Sequence, residues 1–212
     1  MEALGFVFDL DDTLYAERDY VQSCFRLIGP RLGGSDVAEE LWRLFESGEG
    51  NPIGEIARRN GIPEDTKEIL IAEMRGHTPR IALDRGAELL IERLRAMSRR
   101  FSIVTNGRSV TQRRKIEALE IADAAGIIIS EEYGAAKPDV SLFHAAAAAQ
   151  PASRYIYVGD NPALDFEGPN SLGWMTVMLR RDNAVRRRGF APSQVQRPQR
   201  IIDSLEELVA LI

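Results

Sequence analysis

The sequence predicts an α/β fold, a parallel sheet covered by helices on both faces, with a small all-helical domain inserted near its start. Three observations carry that expectation. Apolar runs of strand length at residues 6–8, 101–104, 126–129, 155–158 and 175–179 alternate with stretches of helical periodicity, which demands parallel strands joined by crossover helices. Three of these runs break off into polar residues, at Asp9-Leu10-Asp11-Asp12-Thr13, Thr105-Asn106-Gly107 and Gly159-Asp160, so chemistry is expected along the carboxyl edge of the sheet. Between the first and second runs, residues 15–79 carry helical patterns alone.

Phe6-Val7-Phe8 is the first strand. Tyr20, Val21, Cys24, Phe25 and Ile28 then recur at helical spacing and predict a helix that stops at Pro30. After Gly33-Gly34, the residues Val37, Leu41, Leu44 and Phe45 repeat the pattern, and Asp36 with Glu39 has the form of a capping box. Gly48 to Pro52 is a polar turn. Ile53–Arg59 and Asp65–Met74 predict two short helices, separated by Asn60-Gly61-Ile62-Pro63, a stop followed by a proline restart. Leu89, Leu90, Leu94 and Met97 form the apolar face of the next helix, and Phe101–Val104 is the second strand. Ser109 with Gln112 can cap the helix that runs to about Leu119, before the strand Gly126–Ile129. Asp139 opens a helix through the alanine run, followed by the strands Tyr155–Val158 and Met175–Leu179. Arg200-Ile201-Ile202 adds a short strand and Ser204–Ile212 a closing helix; Asp182–Gln199 is the one long irregular stretch.

Composition narrows the function. A chain of 212 residues buries a sizeable core without staples, and 44% hydrophobic with 28% charged residues is ordinary for a soluble globular protein. The net charge of −5 argues against a general nucleic-acid binder, and no apolar run approaches membrane-spanning length, so a small-molecule partner is expected. Cys24 is the only cysteine; it reads as core filler in a reducing compartment, and with no basic leader before the first strand the protein reads as cytoplasmic.

The first strand end is the centre of the reading. If extended backbone continues past Phe8, Asp9 and Asp11 point the same way, and two crowded carboxylates call for a shared proton or a hard cation such as magnesium. The bland alternative is that Asp11-Asp12-Thr13 caps a helix. Taken in order, Asp9-Leu-Asp11-Asp-Thr-Leu, Thr105-Asn-Gly, Lys137-Pro138 and Gly159-Asp160-Asn-Pro-Ala-Leu-Asp165 resemble the motifs of the haloacid dehalogenase superfamily over the whole chain. The resemblance implies a Rossmann-like catalytic core at residues 1–14 and 80–212, and a mobile helical cap at residues 15–79.

It also implies roles. Asp9 attacks phosphorus to give an aspartyl phosphate, and Asp11 protonates the leaving oxygen and then takes a proton from the hydrolytic water. The crowding of Asp11 is expected to help it carry that proton. Magnesium binds the Asp9 carboxylate, the Asp11 backbone carbonyl and the Asp160 carboxylate, with Asp165 helping from behind. Thr105, Asn106, Gly107 and Lys137 contact the phosphate, with Lys137 one of only three lysines, the rest of the basic residues being arginine. The loop Ser47–Ile53 is the expected specificity element, with Glu49 and Asn51 its candidate contacts. The expected activity is therefore magnesium-dependent hydrolysis of a small phosphorylated metabolite: a sugar phosphate, a phosphoglycolate-like acid or a nucleoside monophosphate. A phosphomutase uses the same core. Haloacid dehalogenation is disfavoured by Asp11, phosphonate cleavage by the charged surroundings of Lys67, and a non-enzymatic binding role by the intact acidic pair. His77 and His144 lack metal-ligand spacing and read as surface or structural residues. Arg186-Arg187-Arg188, with Arg180 and Arg181, read as a solvated basic loop, the alternative being attraction of an anionic substrate.

Overall fold

In a computed structural model, which describes residues 4–182, 184, 185 and 193–212, six parallel strands lie in the order β3-β2-β1-β4-β5-β6. They are β1 (Leu4–Phe8), β2 (Phe101–Thr105), β3 (Gly126–Ile129), β4 (Arg154–Gly159), β5 (Met175–Leu179) and β6 (Arg200–Ile202). The helices are α1 (Glu17–Gly33), α2 (Val37–Glu46), α3 (Pro52–Arg59), α4 (Glu64–Gly76), α5 (Arg85–Ala96), α6 (Ser109–Ala118), α7 (Ser130–Tyr133), α8 (Val140–Ala149) and α9 (Glu167–Ser171). This strand order reverses direction between β1 and β4, and such reversals open the crevice in which α/β sheets bind ligands. Phe8 pairs with Val158 on one side and Ile103 on the other, so the residues that follow β1, β2 and β4 emerge together at the carboxyl edge.

Buried strands alternate between the two faces of the sheet. Val7, Val104, Ile128 and Tyr157 pack with Leu142, Phe143 and Ala146 of α8 on one face, together with Phe166 and Trp174. Phe6, Phe8 and Phe101 form an aromatic run with centroids 6.1 Å apart.

The chain divides into two compact units, residues 1–17 with 82–212, and residues 18–81. The second is all helix, closed by Phe25, Ile28, Leu32, Leu41, Ile56 and Leu70. Gly29 allows α2 to approach, since a Cβ there would sit 2.7 Å from the Ala38 nitrogen.

Several local expectations are corrected. Helix α1 runs through Pro30 to Gly33, because burial of Ile28, Gly29 and Leu32 offsets the single hydrogen bond that proline forgoes. Asp36 makes no cap bond and instead accepts from Ser35 Oγ at 3.0 Å. The buried face of α5 is Ala87, Leu90, Ile91 and Leu94, whereas Leu89 and Met97 are exposed. Ser109 lies inside α6 and Gln112 faces the site, so neither caps that helix. The last segment, Leu205–Leu211, is a 3₁₀ helix, opened by a Ser204–Glu207 capping box. Helices α7 and α9 are four and five residues long, too short to leave a periodic signal. Of the stretch Asp182–Gln199, Gln194–Gln196 forms a 3₁₀ turn, while residues 183 and 186–192, including Arg186, Arg187 and Arg188, lie outside the described residues.

Candidate active site

Asp9 prolongs the sheet ladder, its N–H donating to Val158 O at 2.9 Å, and the chain then turns back on itself. Thr13 N and Leu14 N both donate to Leu10 O, and Asp12 adopts φ 56°, a left-handed conformation that aspartate tolerates better than most side chains. The Asp12 carboxylate accepts from Glu17 N at 3.0 Å and Val185 N at 2.9 Å. The helix-capping job thus falls to Asp12 alone of the three acids. The strand itself ends at Phe8, and the charge of Asp11 is the least of the influences on Asp9. The two acids answer to different partners.

Asp9 faces Lys137 and two further acids. Lys137 Nζ donates to Asp9 Oδ1 at 2.5 Å, to Asp165 Oδ1 at 2.6 Å and to Tyr157 Oη at 3.2 Å, which directs all three ammonium protons. Among the described residues, Asp9 Oδ2 has only a long contact from Thr13 Oγ1 at 3.5 Å, which leaves that oxygen open to an electrophile. Burial pushes the Asp9 carboxyl up to about 7, against the lowering influence of Lys137 and with the repulsion of Asp165 added. Burial and then the charges of Asp165 and Asp9 push Asp160 to about 9. The acids around it hold Lys137 firmly protonated.

Asp11 is held by the opposite wall. Tyr15 Oη and Lys115 Nζ (2.7 Å) donate to Oδ1, and Gln112 Nε2 donates to Oδ2 at 2.8 Å. Burial alone would raise this carboxyl, but Lys115, aided by the Tyr15 and Gln112 hydrogen bonds, holds it below the usual carboxylate range. The expectation that crowding helps Asp11 keep a proton is therefore corrected: its nearest charge is a cation.

Asp9, Asp160 and Asp165 are buried, and each offers a carboxylate oxygen within 4.8 Å of the others. Asp165 cannot serve as a direct ligand without losing bonds. Its Oδ1 accepts from Lys137 and from Tyr157 Oη (3.0 Å), and its Oδ2 from Asp160 N (3.2 Å) and Asn161 N (2.7 Å), which fills all four acceptor positions. It braces the turn after β4, and Gly159 is what lets it in, since a Cβ there would lie 2.6 Å from Asp165 Cγ. Among the described residues, Asp9 and Asp160 keep acceptor positions open, and burial with the acids around them gives both a need for positive charge. A hard, oxygen-seeking cation fits that donor set.

Thr105 ends β2 with its hydroxyl accepting from Gln112 Nε2 at 2.6 Å. Asn106 grips the Lys137 main chain, its Oδ1 accepting from Lys137 N at 2.8 Å and its Nδ2 donating to Lys137 O at 3.3 Å. The Gly107 N–H goes to Ser130 Oγ at 2.9 Å. Asp9, Asp11, Thr105, Asn106, Lys137, Asp160 and Asp165 line one pocket.

Glu49 and Asn51 belong to the helical unit, where Asn51 Oδ1 caps α3 through Gly54 N at 3.0 Å and Glu49 Oε1 accepts from Asn51 N at 3.1 Å. Lys67 pairs with Glu64 on the surface, His77 bonds Ser23 and the Met74 carbonyl, His144 is exposed, and Cys24 is buried and in no disulfide. Arg180 pairs with Asp203; Arg181 reaches Asp84 and donates to Asp12 O at 2.9 Å. Tyr15, Gln112, Lys115 and Tyr157 are the unforeseen partners of the residues that line the pocket, the first three bonding Asp11 and the last Lys137 and Asp165. The signal that points to two of them is the scarcity of lysine together with the three-residue spacing of Gln112 and Lys115 after a polar strand end.

Residues 6–179 match the family model described as haloacid dehalogenase-like hydrolase. The chain belongs to that family. A glyceraldehyde 3-phosphate phosphatase of Methanopyrus kandleri is 30% identical over 95% of this chain and 97% of its own. The pyrimidine 5'-nucleotidase YjjG of Escherichia coli is 31% identical over 60% of this chain and 55% of its own. Among solved structures, the HAD hydrolase YfnB of Bacillus subtilis, crystallised with magnesium, superposes with a TM-score of 0.69 over 100% of this chain and 99% of its own, at 22% identity. Among the described residues, no helix is long and apolar enough to cross a membrane.

Proposed function

We propose that this hydrolase is a phosphatase that cleaves a small sugar phosphate, with a triose phosphate the first substrate class to test, through an aspartyl phosphate on Asp9. The observation that carries the reading is the pairing of an open, Lys137-oriented carboxylate oxygen on Asp9 with a second acid, Asp11, two residues on. Phosphatase-named relatives support the reaction class, and three glyceraldehyde 3-phosphate phosphatases support the substrate class.

In the first step Asp9 Oδ2 bonds to phosphorus as the ester P–O bond breaks, and Asp11 gives its proton to the departing oxygen. In the second, water attacks phosphorus, its proton passes to Asp11, and the Asp9–phosphorus bond breaks to release phosphate. The cycle consumes one water and restores both acids. Asp11 rests ionised beside Lys115, so it takes up its proton before the first step, with substrate in place. Lys137 aims Asp9 and lowers its charge, while Thr105 offers its hydroxyl proton to a phosphate oxygen. Asp9, Asp160 and the Asp11 carbonyl would hold magnesium, and the ion would neutralise the phosphate and the two carboxylates; that YfnB was crystallised with magnesium supports this choice of metal. The helical unit is proposed to act as the cap, with Glu49 and Asn51 in its specificity loop Ser47–Ile53.

The test is a phosphate-release screen with magnesium over triose phosphates, longer sugar phosphates, phosphoglycolate and nucleoside monophosphates, run beside a halide-release assay on haloacids. Release from a triose phosphate at or above the rest supports the reading. Silence across the phosphate panel with halide release overturns it.

A further inference from the structure

Helix α6 turns a polar face toward the pocket. Gln112 and Lys115, three residues apart and so on one side of the helix, are 2% and 3% exposed. Buried ion pairs are poor stabilisers compared with apolar side chains of the same volume, so an apolar face would hold α6 on the sheet as well. What the polar face does instead is grip one acid. A carboxylate offers about four acceptor positions. On Asp11, Lys115 and Tyr15 occupy the two on Oδ1, and Gln112 occupies one on Oδ2. Among the described residues, nothing occupies the second position on Oδ2. The same Gln112 amide donates to the Thr105 hydroxyl at 2.6 Å, so the orientation of Asp11 is tied to that of a phosphate-facing side chain.

We infer that Lys115 and Gln112 are positioning residues for proton transfer, turning Asp11 so that Oδ2 alone exchanges the proton. This rests on the reading of Asp11 as acid and base given above. The Oδ2 proton goes to the leaving oxygen as its bond to phosphorus breaks, and a proton from the attacking water returns to the same Oδ2 as the Asp9–phosphorus bond breaks. Lys115 stays on Oδ1 throughout and gives up no proton.

The experiment compares Asp11→Asn, Lys115→Met, Lys115→Arg and Gln112→Leu, and combines Lys115→Met with Asp11→Asn, in the full-length protein with magnesium. Single-turnover rates of leaving-group release, which report the first step alone, are read on an alkyl phosphate and on para-nitrophenyl phosphate, whose leaving group needs no proton. Lys115→Met is expected to slow the alkyl ester by about 10²-fold and the aryl ester by far less, with little change in KM, because only the assisted step loses its geometry. Added to Asp11→Asn, it should cost no more than about twofold further, since there is no acid left to position. Lys115→Arg should recover part of the alkyl-ester rate. If Lys115→Met does not fold, Gln112→Leu carries the same comparison. Equal losses on both esters, or full additivity with Asp11→Asn, would overturn the inference and leave the role of Asp11 standing. An Asp11→Asn enzyme that slows both esters equally would instead remove the acid-base reading itself.

Discussion

Two buried lysines at the site do the same thing on paper and opposite things in fact. Lys137 and Lys115 each lie within 2.7 Å of an aspartate oxygen, and their side chains are equally inaccessible at 4%. Yet Asp9 beside Lys137 is pushed up to about 7, while Asp11 beside Lys115 is held low. The difference lies in the company each pair keeps. Lys137 divides its charge between Asp9 and Asp165 in a nest that also holds Asp160, leaving an excess of negative charge. Lys115 serves Asp11 with the help of Tyr15 and Gln112, and that pair is locally complete. An ion pair therefore fixes a protonation state only through the full count of charges around it. The Asp9 side is short of a cation. The Asp11 side is not.

The largest expected effect comes from removing the acid on the deficient side. Asp9→Asn keeps the shape and loses the nucleophile, and turnover should fall by about 10⁶-fold with the fold intact. Steady-state phosphate release retaining more than a few per cent of the parent rate would take Asp9 out of that role. Next comes the asymmetry of the lysines. Lys137→Met leaves two acids uncompensated and should destabilise the protein by about 3–5 kcal/mol, whereas Lys115→Met leaves one and should cost less. Urea denaturation in chelator gives both values, and equal losses would break the contrast drawn here.

The same imbalance sets a pH dependence. Asp9 and Asp160 hold protons in the folded chain that the unfolded chain gives up near about pH 4, so stability from these two groups is greatest in acid and is lost as pH rises toward 7 and 9. Asp11 runs the other way: its contribution is present above the unfolded value and is lost as pH falls through the lowered one. In chelator the Tm should fall from about pH 5 to about pH 9, and magnesium should raise Tm more at the alkaline end, where the carboxylates are already free to bind it. Asp160→Asn should flatten the upper part of that slope; an unchanged slope would mean that Asp160 is not the group being titrated. The third lysine supplies the smallest effect. Lys67 pairs with Glu64 at the surface, and Lys67→Ala should change stability by no more than about 0.5 kcal/mol and leave phosphate release unaltered. Loss of activity there would revive an imine-forming role for the residue.

The sequence made the apolar strands and the acids at their ends legible because both signals are local: a strand-length run and a polar break need no partner to be recognised. It predicted the helix that is α6 but not its role, because the buried side is glutamine and lysine among surface arginines and has no apolar period to detect. Asp165 and Gly159 look unrelated until the turn after β4 brings them together, and Tyr157 alternates like any core residue until its hydroxyl meets Asp165 and Lys137. Crowding of Asp9 with Asp11 was misread for the same reason. Spacing along a strand gives direction only while the strand lasts, and this one ends at Phe8.

The division of labour between Asp9 and Asp11 is tested most directly by rapid-quench capture of the first turnover in Asp11→Asn, using para-nitrophenyl phosphate labelled at phosphorus, whose leaving group needs no proton from Asp11, followed by peptide mapping. Label should build up on the peptide carrying Asp9, because the base that hydrolyses the intermediate is gone while the nucleophile remains. Product release with no label on the protein at any time, or label on a different peptide, would contradict the assignment of Asp9 as the group that takes the phosphoryl.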